Sequence, residues 1–189
     1  TLTWGGLRAQ VASVAARLRG MGVGQGDRVV AILPNTEAAL IAFLATASIG
    51  AIWSLCAPDM GYVAILDRFK QIGPKVLIAQ DGYVHAGKTV DRRAVLAQIG
   101  AGLPSVAQFV TVPVVGDLPE GHLDWASLTG DDVPYEATQV PFEHPLWIVY
   151  SSAQRHHRRR SLLLDDVLGL DHVEFAMDGA GAGGVRGTV

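Results

Sequence analysis

Apolar residues near the start of the chain follow first a helical spacing and then a continuous run. Those of the helical part lie three or four positions apart, with arginines between them: Leu7, Val11, Val14, Ala15, Leu18 and Met21. Gly20, Gly22 and Gly24 indicate where this amphipathic helix ends. Residues 29–33, Val-Val-Ala-Ile-Leu, form a short unbroken apolar run. Such a run is typical of a strand that is buried on both faces of a sheet.

A second helix and strand follow the same order. The sequence predicts a helix from Thr36 to about Ile49, because Asn35 can accept hydrogen bonds from the free N–H groups of the first turn and Glu37 suits its positive end. Gly50 ends this helix. Residues 51–55, Ala-Ile-Trp-Ser-Leu, predict the next strand.

The alternation of helices and strands continues along the chain. The further predicted elements are a helix over residues 63–72, a strand over 75–79, a helix over 91–99, a strand over 109–112 and a strand over 146–150. Residues 116–145 are rich in Pro, Gly and acidic residues and predict a long surface connection with one short helical turn near Trp125. Strands separated by helices of this length predict an α/β fold, with a mainly parallel sheet and helices on both faces.

Composition narrows the class of protein. The chain has 189 residues, 49% of them apolar, and a net charge of -3, which fits a globular domain with one sizeable core. The slight acidity argues against nucleic acid or an anionic membrane as the main partner. No window approaches the roughly 18 apolar residues of a transmembrane span. The single cysteine, Cys56, excludes a disulfide framework and predicts a reducing, cytoplasmic location. Thr1 is not an initiator Met, so we expect a cut into a longer chain.

Several segments, taken in order, resemble one family, the adenylate-forming acyl-CoA synthetases. The segments that resemble its N-terminal domain are Gly22–Val29, Ala31–Asn35, Ala47–Trp53 and Trp147–Ser152. Three more are most similar to the acetoacetyl-CoA synthetases within it: Ala57–Gly61, Leu66–Leu77, and Asp81–Tyr83 with Gly87–Lys88. The resemblance covers residues 1–152. It therefore implies a partial AMP-binding N-terminal domain over these residues.

This resemblance implies an ATP-dependent acid–CoA ligase. In the family, a carboxylic acid attacks the α-phosphate of MgATP to give an acyl-adenylate, and the thiol of coenzyme A then displaces AMP. The implied partners are small molecules: acetoacetate or another short carboxylic acid, ATP with Mg²⁺, and CoA. The alternatives are a ligase for another short acid such as acetate, or a catalytically inactive truncated or pseudogene product.

Only the start of the family's phosphate-binding loop is present. In the family the strand ending in Tyr-Ser-Ser continues with Gly-Thr-Thr-Gly and a Pro-Lys pair, which hold the β- and γ-phosphates. Ser151 and Ser152 match and are the predicted cofactor-binding residues. Residues 153–155, Ala-Gln-Arg, depart from the pattern and lack the glycine that the loop needs. The sequence therefore predicts an inactive chain, with no catalytic residue and no metal ligand assigned.

Residues 153–189 do not resemble the family, and we expect them to be a disordered tail. When residues 159–175 are back-translated and read from the second base of each codon, the allowed codons include a peptide similar to the family segment beyond the phosphate loop. We therefore expect a frame-shifted reading. His156-His157 with Arg158 to Arg160 are expected to be solvated. The glycines of residues 181–187 lack the flanking strand and helix of a nucleotide fingerprint.

Several other candidate functional residues are expected to have structural roles instead. A lone cysteine after a buried strand, Cys56, is expected in the core. Trp53 and Trp147 are also expected in the core, although Trp147 precedes the loop and can border a nucleotide pocket. Asp67 and Lys70 are expected to form a surface ion pair on one helix. Lys88 follows the carboxyl end of a strand and is expected in an exposed loop.

Overall fold

The computed structural model describes residues 2–150 and the backbone of residues 174–175. Its elements in chain order are α1 (Trp4–Gly20), β1 (Arg28–Ile32), α2 (Glu37–Ser48), β2 (Ile52–Cys56), α3 (Tyr62–Ile72), β3 (Val76–Gln80), β4 (Gly82–His85), β5 (Lys88–Asp91), α4 (Arg93–Ala101), β6 (Gln108–Val112), β7 (Leu123–Asp124), a short 3₁₀ helix (Trp125–Leu128), β8 (Trp147–Val149) and β9 (Glu174–Phe175). The helices and longer strands predicted from the sequence are confirmed, within two or three residues at their ends.

One seven-stranded sheet organises the fold. Its strand order is β7-β6-β3-β1-β2-β8-β9. All neighbouring strands run parallel except β8 and β9, which are antiparallel. β1 lies between β2 and β3, with Val29 opposite both Trp53 and Val76. The predicted α/β class with a mainly parallel sheet is therefore confirmed.

Two apolar cores cover the two faces of this sheet. Along β1, Val29 and Ala31 belong to the core that includes α1 and α2, while Val30 and Ile32 belong to the core that includes α3 and α4. Successive side chains of a strand point to opposite faces, so a strand covered on both sides must be apolar throughout. This arrangement explains the continuous apolar run in β1.

The connection between β7 and β8 is fastened to the helices of one face. The hydroxyl of Ser13 on α1 donates to the Leu128 carbonyl at 2.6 Å and accepts the Asp131 amide at 3.0 Å. Arg17 also forms an ion pair with Asp131 at 2.6 Å. Further on, the Thr138 amide donates to the Ser48 carbonyl at the end of α2. The predicted surface connection is thus held to α1 and α2, and its helical turn lies at Trp125–Leu128.

A β-hairpin formed by β4 and β5 was not predicted. Its two central residues, Ala86 and Gly87, have φ angles of 49° and 74°, as a two-residue turn of type I′ requires. The usual sequence signal for this turn is Asn-Gly or Asp-Gly, and alanine in the first position hides it. Lys88 therefore begins a strand, and the prediction of an exposed loop was wrong about its local structure. Its side chain is exposed.

Two predicted side-chain roles on the helices were wrong. Thr36, and not Asn35, is the N-cap residue of α2, and its side chain makes no cap hydrogen bond. Asp67 and Lys70 form no ion pair with each other, and the ion pairs within residues 2–150 join other residues. The carbonyl of Asp67 instead accepts a hydrogen bond from the side chain of Gln71 at 2.8 Å.

Asp81 fastens the end of β3 to the loop after β6. Its buried carboxylate accepts hydrogen bonds from the successive amides of Val114, Val115 and Gly116, at 2.6 to 3.3 Å. Consecutive amides that converge in this way form a concave binding site for an anion. Here the anion is the carboxylate of Asp81. Its hydrogen bonds fix the hairpin strands and the loop after β6 relative to each other.

Candidate nucleotide site at the carboxyl edge of the sheet

The carboxyl ends of the parallel strands meet at one edge of the sheet. Cys56 ends β2, Gln80 ends β3, and Tyr150 directly follows β8. Ligands of open α/β sheets bind beyond this edge. The two predicted cofactor-binding residues, Ser151 and Ser152, come next after Tyr150 and lie outside the described residues. The structure therefore places the strand that leads to them, while their own position stays a prediction.

Strand β8 pairs with β2 over only a short length of each strand. The register pairs Trp53 with Trp147 and Ser54 with Ile148. The buried hydroxyl of Ser54 adds a hydrogen bond of 2.9 Å to the Ile148 carbonyl. The parallel ladder with β2 does not extend to Tyr150. The last residue before the predicted phosphate loop is therefore held by other contacts.

Tyr150 is fixed by helix α3. Its hydroxyl donates to the backbone carbonyl of Arg68 at 2.6 Å, and the Arg68 guanidinium lies 5.4 Å from the centre of its ring. Burial raises the pKa of the Tyr150 phenol well above its usual range. The hydroxyl consequently stays protonated at neutral pH and remains a donor. No local pattern in the sequence indicates this hydrogen bond, since its two partners are 82 residues apart.

Arg68 reaches from α3 to the carboxyl edge. The side chains of a helix lean toward its N-terminus, and the N-terminus of α3 follows the loop after β2. There the guanidinium contacts the sulfur of Met60. Arg92, directly before α4, donates to the Met60 carbonyl at 2.8 Å. Neither arginine was predicted as a site residue from the sequence, although the direction in which helical side chains lean indicates that Arg68 can reach this edge.

Cys56 is a core residue, as predicted. It is 2% exposed. Burial raises the pKa of its thiol, and the neighbouring Arg68 opposes this only in part. A thiol that stays protonated is a weak nucleophile. The geometry therefore gives Cys56 no catalytic role.

The two tryptophans pack on the face opposite Tyr150. Trp53 is 1% exposed, and Trp147 packs against the same core as a partly buried residue. The Trp147 ring lies 5.0 Å from that of Phe43 on α2. Tyr150 instead packs against the core of α3 and α4. The core assignment is confirmed for both tryptophans, and Trp147 and Tyr150 contribute to different faces.

Over residues 2–150 and 174–175, no cluster of three or more His, Cys, Asp or Glu side chains has the arrangement of a metal site. In the same part of the chain, no helix has both the length and the apolar character needed to cross a membrane. The interpretations of residues 156–160 and 181–187 fall outside the described residues and stay predictions.

Comparisons with known proteins agree with this geometry. The family model described as "AMP-binding enzyme" matches residues 1–153. Acetoacetyl-CoA synthetase of Macaca fascicularis is 42% identical over 163 residues, and that of Rhizobium meliloti (strain 1021) is 44% identical over 163 residues. Each match covers 80% of this chain and 24% of the relative. The chain thus spans about a quarter of the length of these relatives.

A solved structure gives the same result. Acetoacetyl-CoA synthetase from Streptomyces lividans superimposes with a TM-score of 0.78 and 48% sequence identity, covering 79% of this chain and 23% of that one. Strands β1 to β8, the carboxyl edge that they form and the match to the family model all lie within residues 1–153. The chain belongs to the family of AMP-binding enzymes, through residues 1–153.

Proposed function

We propose that this chain is part of an acid–CoA ligase that acts on acetoacetate. The parent reaction converts acetoacetate, ATP and CoA to acetoacetyl-CoA, AMP and pyrophosphate. The observation that carries the proposal is the position of β8, which ends directly before Tyr150 at the ligand-binding edge of the sheet. The similarity to acetoacetyl-CoA synthetases over the same residues supports it.

The reaction has two steps. An oxygen of the acetoacetate carboxylate attacks the α-phosphorus of MgATP, and pyrophosphate leaves. The thiol sulfur of CoA then attacks the carbonyl carbon of the acyl-adenylate, losing its proton, and AMP leaves. Ser151 and Ser152 are assigned to the ATP phosphates, because short side chains let backbone amides approach phosphate oxygens. MgATP, CoA and acetoacetate are substrates that diffuse to the site, in a cytoplasmic setting.

The chain by itself is expected to be inactive. Residues 153–155 are Ala-Gln-Arg where the family has glycine and threonine, so the phosphate loop is incomplete. We assign residues 1–152 to the partial AMP-binding domain and residues 153–189 to a tail of other origin. Acetate and other short acids are alternative substrates, but the similarity favours acetoacetate.

A chimeric enzyme tests the function. Residues 1–152 replace the matching segment of the Streptomyces lividans enzyme, and acetoacetate-dependent ATP–pyrophosphate exchange is measured. We expect exchange with acetoacetate and much less with acetate. A matched chimera that carries residues 1–160 also replaces the glycine-rich loop, and we expect it to lose exchange. A folded 1–152 chimera without exchange, or with a preference for acetate, contradicts the proposal.

Two measurements on the chain itself test its proposed state. Exchange by the 189-residue chain at a rate near that of a full-length ligase contradicts its inactivity. Sequencing of the encoding DNA tests the origin of the tail. The proposed frameshift requires the second-base reading of residues 159–175 to encode a family-like peptide, and any other reading rejects it.

A further inference from the structure

Asp81 joins three segments of the chain at the carboxyl end of β3. Its backbone carbonyl accepts the Arg92 amide at 2.8 Å, which closes the base of the β4–β5 hairpin. Its carboxylate accepts the amides of Val114, Val115 and Gly116 in the loop after β6, at 2.6 to 3.3 Å. β3, the hairpin and this loop therefore meet at one residue.

The carboxylate of Asp81 is buried and forms none of the ion pairs within residues 2–150. The residue is 1% exposed. A buried charge is costly unless other groups compensate it, and here the three amides supply that compensation. The loop also lies so close to the hairpin that a Cβ on Gly82 would clash with the side chain of Val115. A buried charge and a glycine are thus both committed to this junction.

Arg92 connects the junction to the loop between β2 and α3. A terminal nitrogen of its guanidinium donates to the Met60 carbonyl at 2.8 Å. Its Nε is buried and, among the residues that the structure describes, has no hydrogen-bond partner. A buried donor without an acceptor is unfavourable and rare in folded proteins. Since such costs are retained mainly where function requires them, the bond to this loop indicates a role besides stability.

The same series of contacts continues to Tyr150. The Arg68 guanidinium contacts the sulfur of Met60, and the Arg68 carbonyl accepts the Tyr150 hydroxyl. In the sheet, β3 and β8 are separated by β1 and β2. One series of contacts consequently spans the ligand-binding edge from the end of β3 to the end of β8: Asp81, Arg92, Met60, Arg68 and Tyr150.

We propose that Asp81 is a positioning residue for substrate binding at this edge. It holds the base of the hairpin in place, and through Arg92 it fixes the loop after β2 beside the candidate site at Tyr150. Its carboxylate is buried against the loop after β6, so it acts through these neighbours and contacts no substrate itself. The kinetic consequence rests on the proposed function, whereas the junction itself does not.

Kinetics of the 1–152 chimera test this role. Asp81→Asn keeps the shape of the side chain but replaces one oxygen acceptor by an N–H donor, which the three amides repel. Acetoacetyl-CoA formation is measured while acetoacetate, ATP and CoA are varied in turn. We expect the KM for at least one substrate to rise about tenfold, with kcat within about twofold, as when ground-state binding is weakened. A lower kcat with all three KM values unchanged indicates only a loss of folded enzyme and overturns the proposal.

Formate tests whether the carboxylate itself is required. Asp81→Ala leaves three convergent amides without their acceptor, and formate is a carboxylate small enough to take its place. We expect the KM of this variant to rise as in Asp81→Asn and to return toward the native value in formate, but not in chloride at equal ionic strength. A raised KM that formate leaves unchanged assigns the effect to a general loss of packing and overturns the role of the carboxylate.

Asp117→Asn provides the matched control. Asp117 lies in the same loop, is exposed and forms no ion pair within residues 2–150. We expect this variant to have the same three KM values as the unsubstituted chimera. Equal effects of the two asparagine substitutions reject a specific role for Asp81.

Hydrogen exchange of the 189-residue chain separates this proposal from the proposed function. In Asp81→Asn, the amides of Val114, Val115 and Gly116 are expected to exchange about tenfold faster or more, because they lose their charged acceptor. Unchanged exchange rejects the junction. A folded but inactive 1–152 chimera rejects the proposed function, and faster exchange then keeps the junction. An active chimera whose KM values do not respond to Asp81→Asn rejects the positioning role and keeps the function.

Discussion

The hydroxyl of Tyr150 donates a hydrogen bond of 2.6 Å to the backbone carbonyl of Arg68. This bond joins the end of β8 to α3 beyond the last register pair of β8 with β2. Tyr150→Phe removes the hydroxyl and keeps the ring. We expect a loss of ~1 kcal/mol in the free energy of unfolding, as for a typical intramolecular hydrogen bond.

Urea unfolding followed by circular dichroism measures this loss. Tyr62→Phe is the control, because Tyr62 is 44% exposed and makes no side-chain hydrogen bond within residues 2–150. An equal effect of the two substitutions contradicts a role for the bond to Arg68.

Phe69 is expected to be a main contributor to the core of α3 and α4. It is fully buried at 0% exposure, whereas Phe142 is 84% exposed. Phe69→Ala is expected to cost about 3–5 kcal/mol, through lost apolar burial and the cavity left behind. Phe142→Ala is expected to change stability by about 0.5 kcal/mol or less. Thermal or urea unfolding compares the two variants, and similar losses argue against this core.

Asp27 is expected to make stability dependent on acid pH. Burial raises the pKa of its carboxyl, but hydrogen bonds from Lys75 and the Gly24 amide outweigh this and leave it below the ordinary value of 3.8. A depressed pKa in the folded state stabilises the fold above the unfolded pKa, and this contribution is lost as the pH falls through the folded pKa. Asp27→Asn is therefore expected to be less stable than the native chain at pH 7, with the difference shrinking below about pH 4.

Unfolding free energies at several pH values test this dependence. Asp59→Asn is the control, since Asp59 is exposed and forms no ion pair within residues 2–150. A stability difference for Asp27→Asn that stays constant down to pH 2 contradicts the prediction.

The Cys56 thiol is expected to react slowly. It is 2% exposed, and burial raises its pKa, so both access and the thiolate fraction are low. Alkylation by iodoacetamide at pH 8 should be slow in buffer and fast in concentrated urea. Equal rates in the two solvents show that the thiol is accessible in the folded chain.

Two glycines are expected to respond in opposite directions to alanine. A Cβ at Gly82 clashes with the side chain of Val115 and meets the Val90 carbonyl oxygen at 2.7 Å. Gly82→Ala is expected to destabilise the chain by about 1–3 kcal/mol through overpacking. Gly5 lies in α1 with nothing within 4 Å, so Gly5→Ala is expected to stabilise by about 0.5–1 kcal/mol. Urea unfolding distinguishes them, and two equal effects contradict the packing at Gly82.

The sequence predicted the parts of the fold that local patterns determine. β1 reads as an unbroken apolar run because both of its faces are covered, and α1 reads as helical because Leu18 and its neighbours repeat on one buried side. The hairpin turn at Ala86 was missed because alanine rarely adopts a positive φ. The resemblance indicated Ser151 and Ser152, because they directly follow a family-like segment of the sequence. It did not indicate Arg68, because the contacts of Arg68 with Met60 and Tyr150 arise only from tertiary packing.

The position of β8 in the sheet has a consequence for folding order. The hydrogen bond between Ser54 of β2 and Ile148 of β8 joins residues that are 94 positions apart in the sequence. By contrast, β1 and β2, which pair Arg28 with Ile52, are separated by a single helix. When two strands are far apart in the sequence, closing the loop between them costs conformational entropy before any stabilising contact forms. We therefore expect β1, β2 and β3 to assemble first and β8 to dock onto them. The candidate site at Tyr150 then forms only on a domain that has already folded, and the hydrogen bond between Tyr150 and Arg68 reports complete assembly of the sheet.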